Sequence, residues 1–311
     1  MNEAIYIKSY AKINLYLNIL GKLGDGYHAI ETLFQTIDLF DEIHIHRMKG
    51  SALQIHCDDP NVPTGKNSSV YRAIQMLMEN EKFKKKISGL EVLIRKKIPI
   101  ASGLGGGSSN IAAILIGIRK LFRLPIQLSE LMGIATRVGM DIPFFIIRGT
   151  VFAKGRGEIL FPMISLHPPV QLLLINPGIS ISTEWAYKAY DRELERNVFS
   201  QKAPSLRFDN LVARGDPLRL AQISGLVYNC FEAMIEKQYP VIGKIKEKLK
   251  NMGSLAASLS GSGSTMYGIF GTRRELDKAY QELKGQYPFV VKTKTISARK
   301  IFFHSMDEMV I

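Results

Sequence analysis

The chain has 311 residues, of which 46% are hydrophobic and 22% charged, and its formal net charge is +13. That length predicts about two domains of ~150 residues with an ordinary folded core, and the longest apolar runs, such as Ile111–Ile118 and Leu172–Ile175, fall well short of the ~20 residues that cross a bilayer. Two distant cysteines, Cys57 and Cys230, exclude a disulfide framework and predict a cytoplasmic protein, while the positive charge predicts attraction to polyanions, a multiply phosphorylated small molecule among them.

Strand character begins at Ile5 and Ile7, and nothing near the N-terminus resembles a signal or transit peptide. Ile13, Leu15, Leu17 and Ile19 alternate with Lys12, Asn14, Tyr16 and Asn18, which predicts a strand presenting the two sets on opposite faces. A turn over Gly21–Gly26 leads through Tyr27 and His28 into a second extended region toward Ile45. Val70, Ile74, Leu77 and Met78 give Ser68–Met78 helical spacing. Lys82, Lys84, Lys85 and Lys86 follow it as a solvated turn.

Leu90, Val92 and Ile94 form a strand that runs into Ile98-Pro99-Ile100-Ala101-Ser102-Gly103-Leu104-Gly105-Gly106-Gly107-Ser108-Ser109-Asn110. Gly105, Gly106 and Gly107 let backbone approach an anion closely. Ser108 and Ser109 are suited to cap the apolar helix Ile111–Phe122 behind them, whose free N–H groups and positive dipole end then face the glycines. A P-loop is excluded because no lysine follows the glycines. Ser108 stands where a dinucleotide loop needs its third glycine, and the H-R-D and D-F-G partners of a protein-kinase loop are missing. A plain flexible turn needs only one or two glycines rather than a strand–loop–helix frame.

Leu128–Val138 reads as a further helix, N-capped by Ser129 or started near it, and it delivers Gly139-Met140-Asp141-Ile142-Pro143-Phe144-Phe145. Strands are predicted at Thr150–Ala153 and Val170–Ile175. The change in character between Pro162 and Pro177, with Pro168-Pro169 inside it, predicts a crossing between an N-terminal lobe over 1–165 and a C-terminal lobe over 166–311. The second half alternates strands and helices around its own glycine turn, Ser260–Thr265.

Phosphoryl transfer needs a phosphate cradle, a cation and a carboxylate aimed at the attacking hydroxyl. Lys12 and Asn14 share a strand face and can reach one cleft, although a lone strand lysine is more often exposed. Asp141, ahead of an apolar run, must be paired or kept out of the core, and a helix-terminal turn aspartate is the alternative. A lysine partner would keep it ionised. His44, His46 and His56 lack a completing carboxylate or cysteine and are read as solvent-facing strand residues. Tyr27 and His28 fit either a pair that packs on and bonds a planar base or a tethered loop aromatic. Trp185 and Tyr187 are open between core and a second stacking wall.

Five segments together resemble the small-molecule kinases that include galactokinase, homoserine kinase, mevalonate kinase and phosphomevalonate kinase. They are Ala11–Leu15, Asp25–His28, Pro99–Ser109, Asp141–Phe145 with Gly155–Glu158, and Leu259–Ser264. Ala-Lys-Ile-Asn followed by Asp-Gly-Tyr-His points, within that superfamily, to the branch that phosphorylates the C2 hydroxyl of 4-diphosphocytidyl-2-C-methyl-D-erythritol in non-mevalonate isoprenoid biosynthesis. The resemblance implies an α+β, two-lobed fold: a mixed sheet with helices in the N-terminal lobe, a ferredoxin-like C-terminal lobe, and the active site between them. It implies Lys12 and Asp141 as the catalytic pair, and Pro99 through Ser109 as the ATP-phosphate cradle with Ser108 or Ser109 near Mg²⁺. Asn67 and Lys96 would line the nucleotide site. Asn14, Tyr27, His28 and Tyr187 would hold the cytidyl substrate, His28 reading the cytosine edge and the tyrosines stacking on its ring. Asn110, Met140 and Cys230 depart from the usual pattern, and Met140 is the departure that could crowd Asp141. ATP and the cytidyl substrate are the partners implied, with neither nucleic acid nor membrane. A nucleic-acid module would interleave aromatic and basic residues on one sheet, whereas the basic residues here are scattered. Mevalonate and homoserine offer no base for Tyr27 and His28 to stack on.

Overall fold

Strands β1 (Ala4–Lys22) and β2 (His28–Met48) form the antiparallel ribbon on which the rest of the computed structural model is assembled. The structure describes residues 4–164, 166, 168–195 and 220–298; the parts of the expected C-terminal lobe beyond these lie outside the described residues. The ribbon is extended by β3 (Leu53–Cys57), β4 (Gly89–Arg95), β5 (Thr150–Lys154), β6 (Ile159–Pro162) and the short β8 (Tyr228–Asn229) into a seven-stranded sheet. The sheet is mixed, because β3 runs parallel to β4 and β8 parallel to β1. Helices α1 (Ser69–Met78), α2 (Gly106–Leu121), α3 (Leu128–Val138) and α4 (Ile142–Ile147) pack with it into one core, in which Ile7, Ile43, Ile45, Ile114 and Ile118 are at most 1% exposed. Each such side chain contributes roughly 1.5–3 kcal/mol by leaving water.

The second sheet consists of β7 (Gln171–Asn176), β9 (Ala256–Leu259), β10 (Met266–Phe270) and β11 (Phe289–Lys294), in the order β11-β7-β10-β9 and antiparallel throughout. With helices Pro240–Asn251 and Arg273–Leu283 in the crossovers, this is the ferredoxin-like arrangement expected. A capping box between Thr272 and Glu275 starts the latter helix. Helix α5 (Thr183–Glu195) follows β7. The second half of the chain contributes β8 to the first sheet, beside β1, and the two sheets are tied where the Tyr267 hydroxyl donates to the Asn14 carbonyl at 2.9 Å.

The simple alternation along β1 needs correction. Its register shifts between Asn14 and Tyr16, so Ile13, Leu15 and Tyr16 enter one apolar cluster while Leu17 and Ile19 enter another. A bulge inserts one residue and reverses which face the following side chains meet. Lys12 and Asn14 are also covered, at 4% and 2% exposure, because this strand is packed on both faces. Ser68 caps α1 by accepting from the Tyr71 N–H at 3.1 Å. Ser129 does not cap α3, whose N-cap is Gln127.

Candidate active site

The glycine loop is fixed at its entrance by a residue the sequence did not single out. Asp41, fully buried on β2, accepts from the Lys97 and Ile98 N–H groups at 2.7 and 2.8 Å and pairs with the Lys96 ammonium. Ser102 Oγ donates to the Pro99 carbonyl at 2.6 Å, closing the next turn. Helix α2 then starts at Gly106, behind a Gly105 N-cap with φ +71°. A Cβ on Gly105 would meet the Phe145 ring at 2.5 Å, so sterics and backbone angle both require glycine there.

The serines are therefore not caps: both lie inside the first turn of α2. Its first intrahelical bond runs from the Ser109 N–H to the Gly105 carbonyl at 2.9 Å, which leaves the Gly106, Gly107 and Ser108 N–H groups without helical acceptors. That turn holds no acidic side chain, while Arg119 and Lys120 sit in the last turn, so the positive end of the helix is not neutralised. The hydroxyls of the two serines differ. Ser109 Oγ donates to the Tyr10 carbonyl at 2.6 Å and stitches the helix to β1, whereas Ser108 lines the cleft.

A second turn, between β9 and β10, packs directly on the first. Gly103 has φ +78°, and a Cβ on it would stand 1.9 Å from the Ser260 carbonyl oxygen. Ser260 Oγ donates to the Gly103 carbonyl at 2.9 Å, and the Thr265 N–H to the Ser102 carbonyl at 3.1 Å. Asn229 supports this turn from behind by donating to the Leu259 and Gly261 carbonyls, both at 2.8 Å. Glu232 accepts from the Leu259 N–H at 2.8 Å and from Ser258 Oγ at 2.6 Å.

Between the turns lies a cleft of about 470 Å³. Lys12, Asn14, Lys96, Asp141 and Tyr187 open into it, together with Pro99–Gly103 and Gly105–Ser108. Leu104 and Ser109 are buried behind the loop. Asn67 is exposed in the turn before α1, and Asn61, Val62 and Pro63 of that loop line the cleft instead.

Lys12 is held closely. Its Nζ donates to Asn14 Oδ1 at 2.6 Å, Asn14 Nδ2 donates to Thr32 Oγ1 at 2.8 Å, and a Cβ on Gly261 would come within 3.1 Å of the ammonium. Burial pulls the Lys12 pKa below its ordinary value, and the field of Asp141 opposes that shift. Asp141 occupies the N-cap position of α4 without capping it, and its carboxylate has no hydrogen bond or ion pair among the described residues. Asp141 does stand in a turn at a helix terminus, as the alternative had it. The half-buried carboxylate lines the cleft, and its field reaches the buried Lys12 ammonium.

At the far end, His28 Nε2 lies 2.6 Å from Asp191 Oδ1, and the His28 ring stacks on Tyr187 with centroids 4.8 Å apart. Lys22 donates to the other Asp191 oxygen at 2.9 Å. Burial favours the neutral acid, but the bonds from His28 and Lys22 hold the Asp191 carboxyl below the usual range. Burial pushes the Tyr187 phenol well above its ordinary pKa. Tyr27 is 51% exposed beneath the Arg156 guanidinium, which also pairs with Asp25. Neither Tyr27 nor His28 lines the cleft itself. Trp185 packs edge-on against Tyr239. His44 is half-buried against Tyr6 rather than solvent-facing, and burial lowers its pKa. Among the described residues no group of three or more His, Cys, Asp or Glu side chains could hold a metal ion.

Comparison with known proteins agrees with this architecture. Residues 68–149 match the GHMP kinases N terminal domain and residues 209–288 the GHMP kinases C terminal domain. A 4-diphosphocytidyl-2-C-methyl-D-erythritol kinase from Thermoanaerobacter pseudethanolicus is 39% identical over 94% of this chain and 97% of its own. One from Nostoc sp. is 34% identical over 92% of this chain and 94% of its own. The crystal structure of a 4-(cytidine 5'-diphospho)-2C-methyl-D-erythritol kinase superimposes with a TM-score of 0.73 at 25% identity, covering 93% of this chain and 98% of that one. An L. major mevalonate kinase shares the fold, with a TM-score of 0.70 at 16% identity over 96% of this chain and 98% of its own. With relatives this similar along nearly the full length and both kinase domains in order, the chain belongs to the 4-diphosphocytidyl-2-C-methyl-D-erythritol kinase family of GHMP kinases.

Proposed function

We infer that the protein transfers the γ-phosphoryl group of ATP to the C2 hydroxyl of 4-diphosphocytidyl-2-C-methyl-D-erythritol, giving the 2-phosphate and ADP. One observation carries this reading. A buried ammonium, an unpartnered carboxylate and the unneutralised N-terminus of a 16-residue helix open into the same cleft.

In this reading the ATP phosphates sit against the Gly106, Gly107 and Ser108 N–H groups, where the helix field and the free donors stabilise their charge. Asp141 accepts the proton of the C2 hydroxyl as its oxygen bonds to the γ-phosphorus. The bond between that phosphorus and the β–γ bridging oxygen breaks, and ADP leaves with the electron pair. Lys12, aimed by Asn14, offsets charge on the migrating group. Lys12 is held by Asn14 rather than in a direct ion pair with Asp141. His28 meets the cytosine edge, with Tyr27 and Tyr187 about the base.

Mg²⁺ suits the oxygen donors of the cleft, since this ion commonly takes one or two carboxylates plus substrate phosphates and keeps its waters. Ser108, which lines the cleft, would stand beside it, and it would neutralise phosphate charge. Ser109 is already committed to the Tyr10 carbonyl. We read residues 1–165 as the lobe carrying ATP and the catalytic pair, and 166–311 as the lobe completing the substrate site. No helix among the described residues is long and apolar enough to cross a membrane, and the cytoplasm is the compartment we assign. A coupled ADP-release assay run in parallel on the cytidyl substrate, mevalonate and homoserine tests the reading. Turnover confined to the cytidyl substrate is expected; preference for either of the others would overturn it.

A further inference from the structure

We propose that Asp191 determines base specificity: by accepting the Nε2–H of His28 it presents Nδ1 as a bare acceptor, which takes a pyrimidine with a 4-amino group and rejects one with a 4-carbonyl. The inference rests on the reading above that His28 meets the base. Asp191 does not touch substrate; it is a positioning residue that acts through His28.

The geometry fixes both the plane and the proton of the ring. An ionised carboxylate can only accept, so with Nε2 at 2.6 Å from Asp191 Oδ1 the shared proton belongs to the imidazole. A neutral imidazole carries one ring proton, which leaves Nδ1 with a lone pair. Among the described residues Nδ1 has no hydrogen-bond partner, although the side chain is only 8% exposed. Lys22, from the end of β1, holds Asp191 Oδ2 at 2.9 Å and helps keep the carboxylate charged. Rotation of the ring is restrained by Tyr187 at 4.8 Å and 32°, and Tyr187 is backed edge-on by Phe231 at 5.0 Å and 83°. Tyr187 and Asp191 are four residues apart on α5, so one helix face sets the stack and the tautomer together. The same logic governs metal-bound histidines, whose second nitrogen is set by the partner of the first.

The consequence is chemical. The exocyclic amine of cytosine donates to Nδ1, whereas the O4 of uracil would oppose one lone pair with another. An unmade, repelled hydrogen bond in such a site corresponds to discrimination of about tenfold to a hundredfold.

The test compares kcat/KM for the cytidyl substrate and its uridyl counterpart in the wild type, Asp191→Asn and Asp191→Glu. An asparagine can accept from Nε2 or donate to it, so it no longer fixes the tautomer. Wild type is expected to prefer the cytidyl compound by about tenfold to a hundredfold. Asp191→Asn should lose most of that preference through a higher KM for the cytidyl substrate with kcat little changed, and Asp191→Glu should recover part of it. Nitrogen-15 NMR of histidine-labelled protein, with His28 identified by its loss in His28→Gln, should show the Nε2–H tautomer in wild type and a mixture in Asp191→Asn. Unchanged discrimination in a folded Asp191→Asn enzyme, or a His28 that carries a proton on Nδ1 in wild type, whether as the other neutral tautomer or as the imidazolium, would overturn the proposal. If wild type turned over neither nucleotide the functional reading would fall, and the proposed base specificity with it; normal wild-type turnover with intact discrimination in Asp191→Asn would sink only the role of Asp191.

Discussion

Gly103→Ala is the sharpest probe of how the two turns build the site. The new methyl carbon would lie 1.9 Å from the Ser260 carbonyl oxygen, so the contact has to open by about 1 Å to reach 3.0 Å. Ser260 cannot swing away freely, because its N–H donates to the Thr265 carbonyl at 2.9 Å and its carbonyl accepts from the Gly263 N–H at 3.0 Å. Opening the contact sacrifices the Ser260–Gly103 and Thr265–Ser102 hydrogen bonds, worth about 1 kcal/mol each. Holding alanine at positive φ adds ~1–2 kcal/mol. The expected loss is about 3–4 kcal/mol, read by urea unfolding, with a thermal midpoint lower by roughly 5–10 °C. Because Gly261 of the same turn abuts Lys12, a ~1 Å displacement should also reduce turnover about 10²-fold. Gly253→Ala is the control, since its φ is +88° but nothing lies within 4 Å of the added carbon. It should lose only the backbone contribution of ~1–2 kcal/mol and keep full activity. A Gly103→Ala enzyme with the stability of the control and normal turnover would refute the interlock.

Four further outcomes follow from the same geometry. Asp141→Asn should lower kcat by about 10²–10⁴-fold while ATP binding, measured by calorimetry, stays near wild type; near-normal kcat would remove it as the base. Lys12→Met should abolish most turnover yet leave stability unchanged or higher at neutral pH, because burial disfavours the ammonium. Between the depressed folded-state pKa of Lys12 and its ordinary 10.5 the unfolded chain binds a proton the folded chain does not. Wild-type stability therefore gains with rising pH in that window, a gain Lys12→Met should lack in pH-resolved denaturation. Gly107→Ala has nothing within 4 Å of the added carbon, so helix stability should hold or rise by ~0.5–1 kcal/mol while KM for ATP increases; an unchanged KM would mean that no phosphate seats there. Burial raises the Cys230 thiol pKa to about 12 and that of Cys57 above its usual value, so native protein at pH 8 should yield at most one slowly reacting thiol to Ellman's reagent, and two after unfolding.

The parts of the fold legible in the sequence were those set by local pattern. Alternating residues marked β4, helical spacing marked α1 and α3, and the glycine clusters marked both turns. Lys12 and Asn14 could be assigned to one face because residues two apart on a regular strand share one. The phase change after Asn14 was hidden, since a bulge arises from pairing with β2 rather than from the residues of β1 alone. The start of α2 was misread because serine is a better cap than glycine in general, yet here a left-handed backbone against Phe145 decides the matter. Asp41, Asp191, Asn229 and Glu232 were invisible for a common reason: each bonds to groups distant in the chain. Only Asp191 left a trace, its four-residue spacing from Tyr187 on α5.

The interlock at Gly103 also bears on how the molecule can move. Two backbones that leave no room for a methyl group act as a weld rather than a hinge, so the glycine-loop end of the crevice has its width set by both turns together. Among the described residues the outer rim has no such interlock at Tyr27, which stands half in solvent under Arg156. Neither half of the chain, produced separately, would carry a working lysine pocket, because its walls come from both.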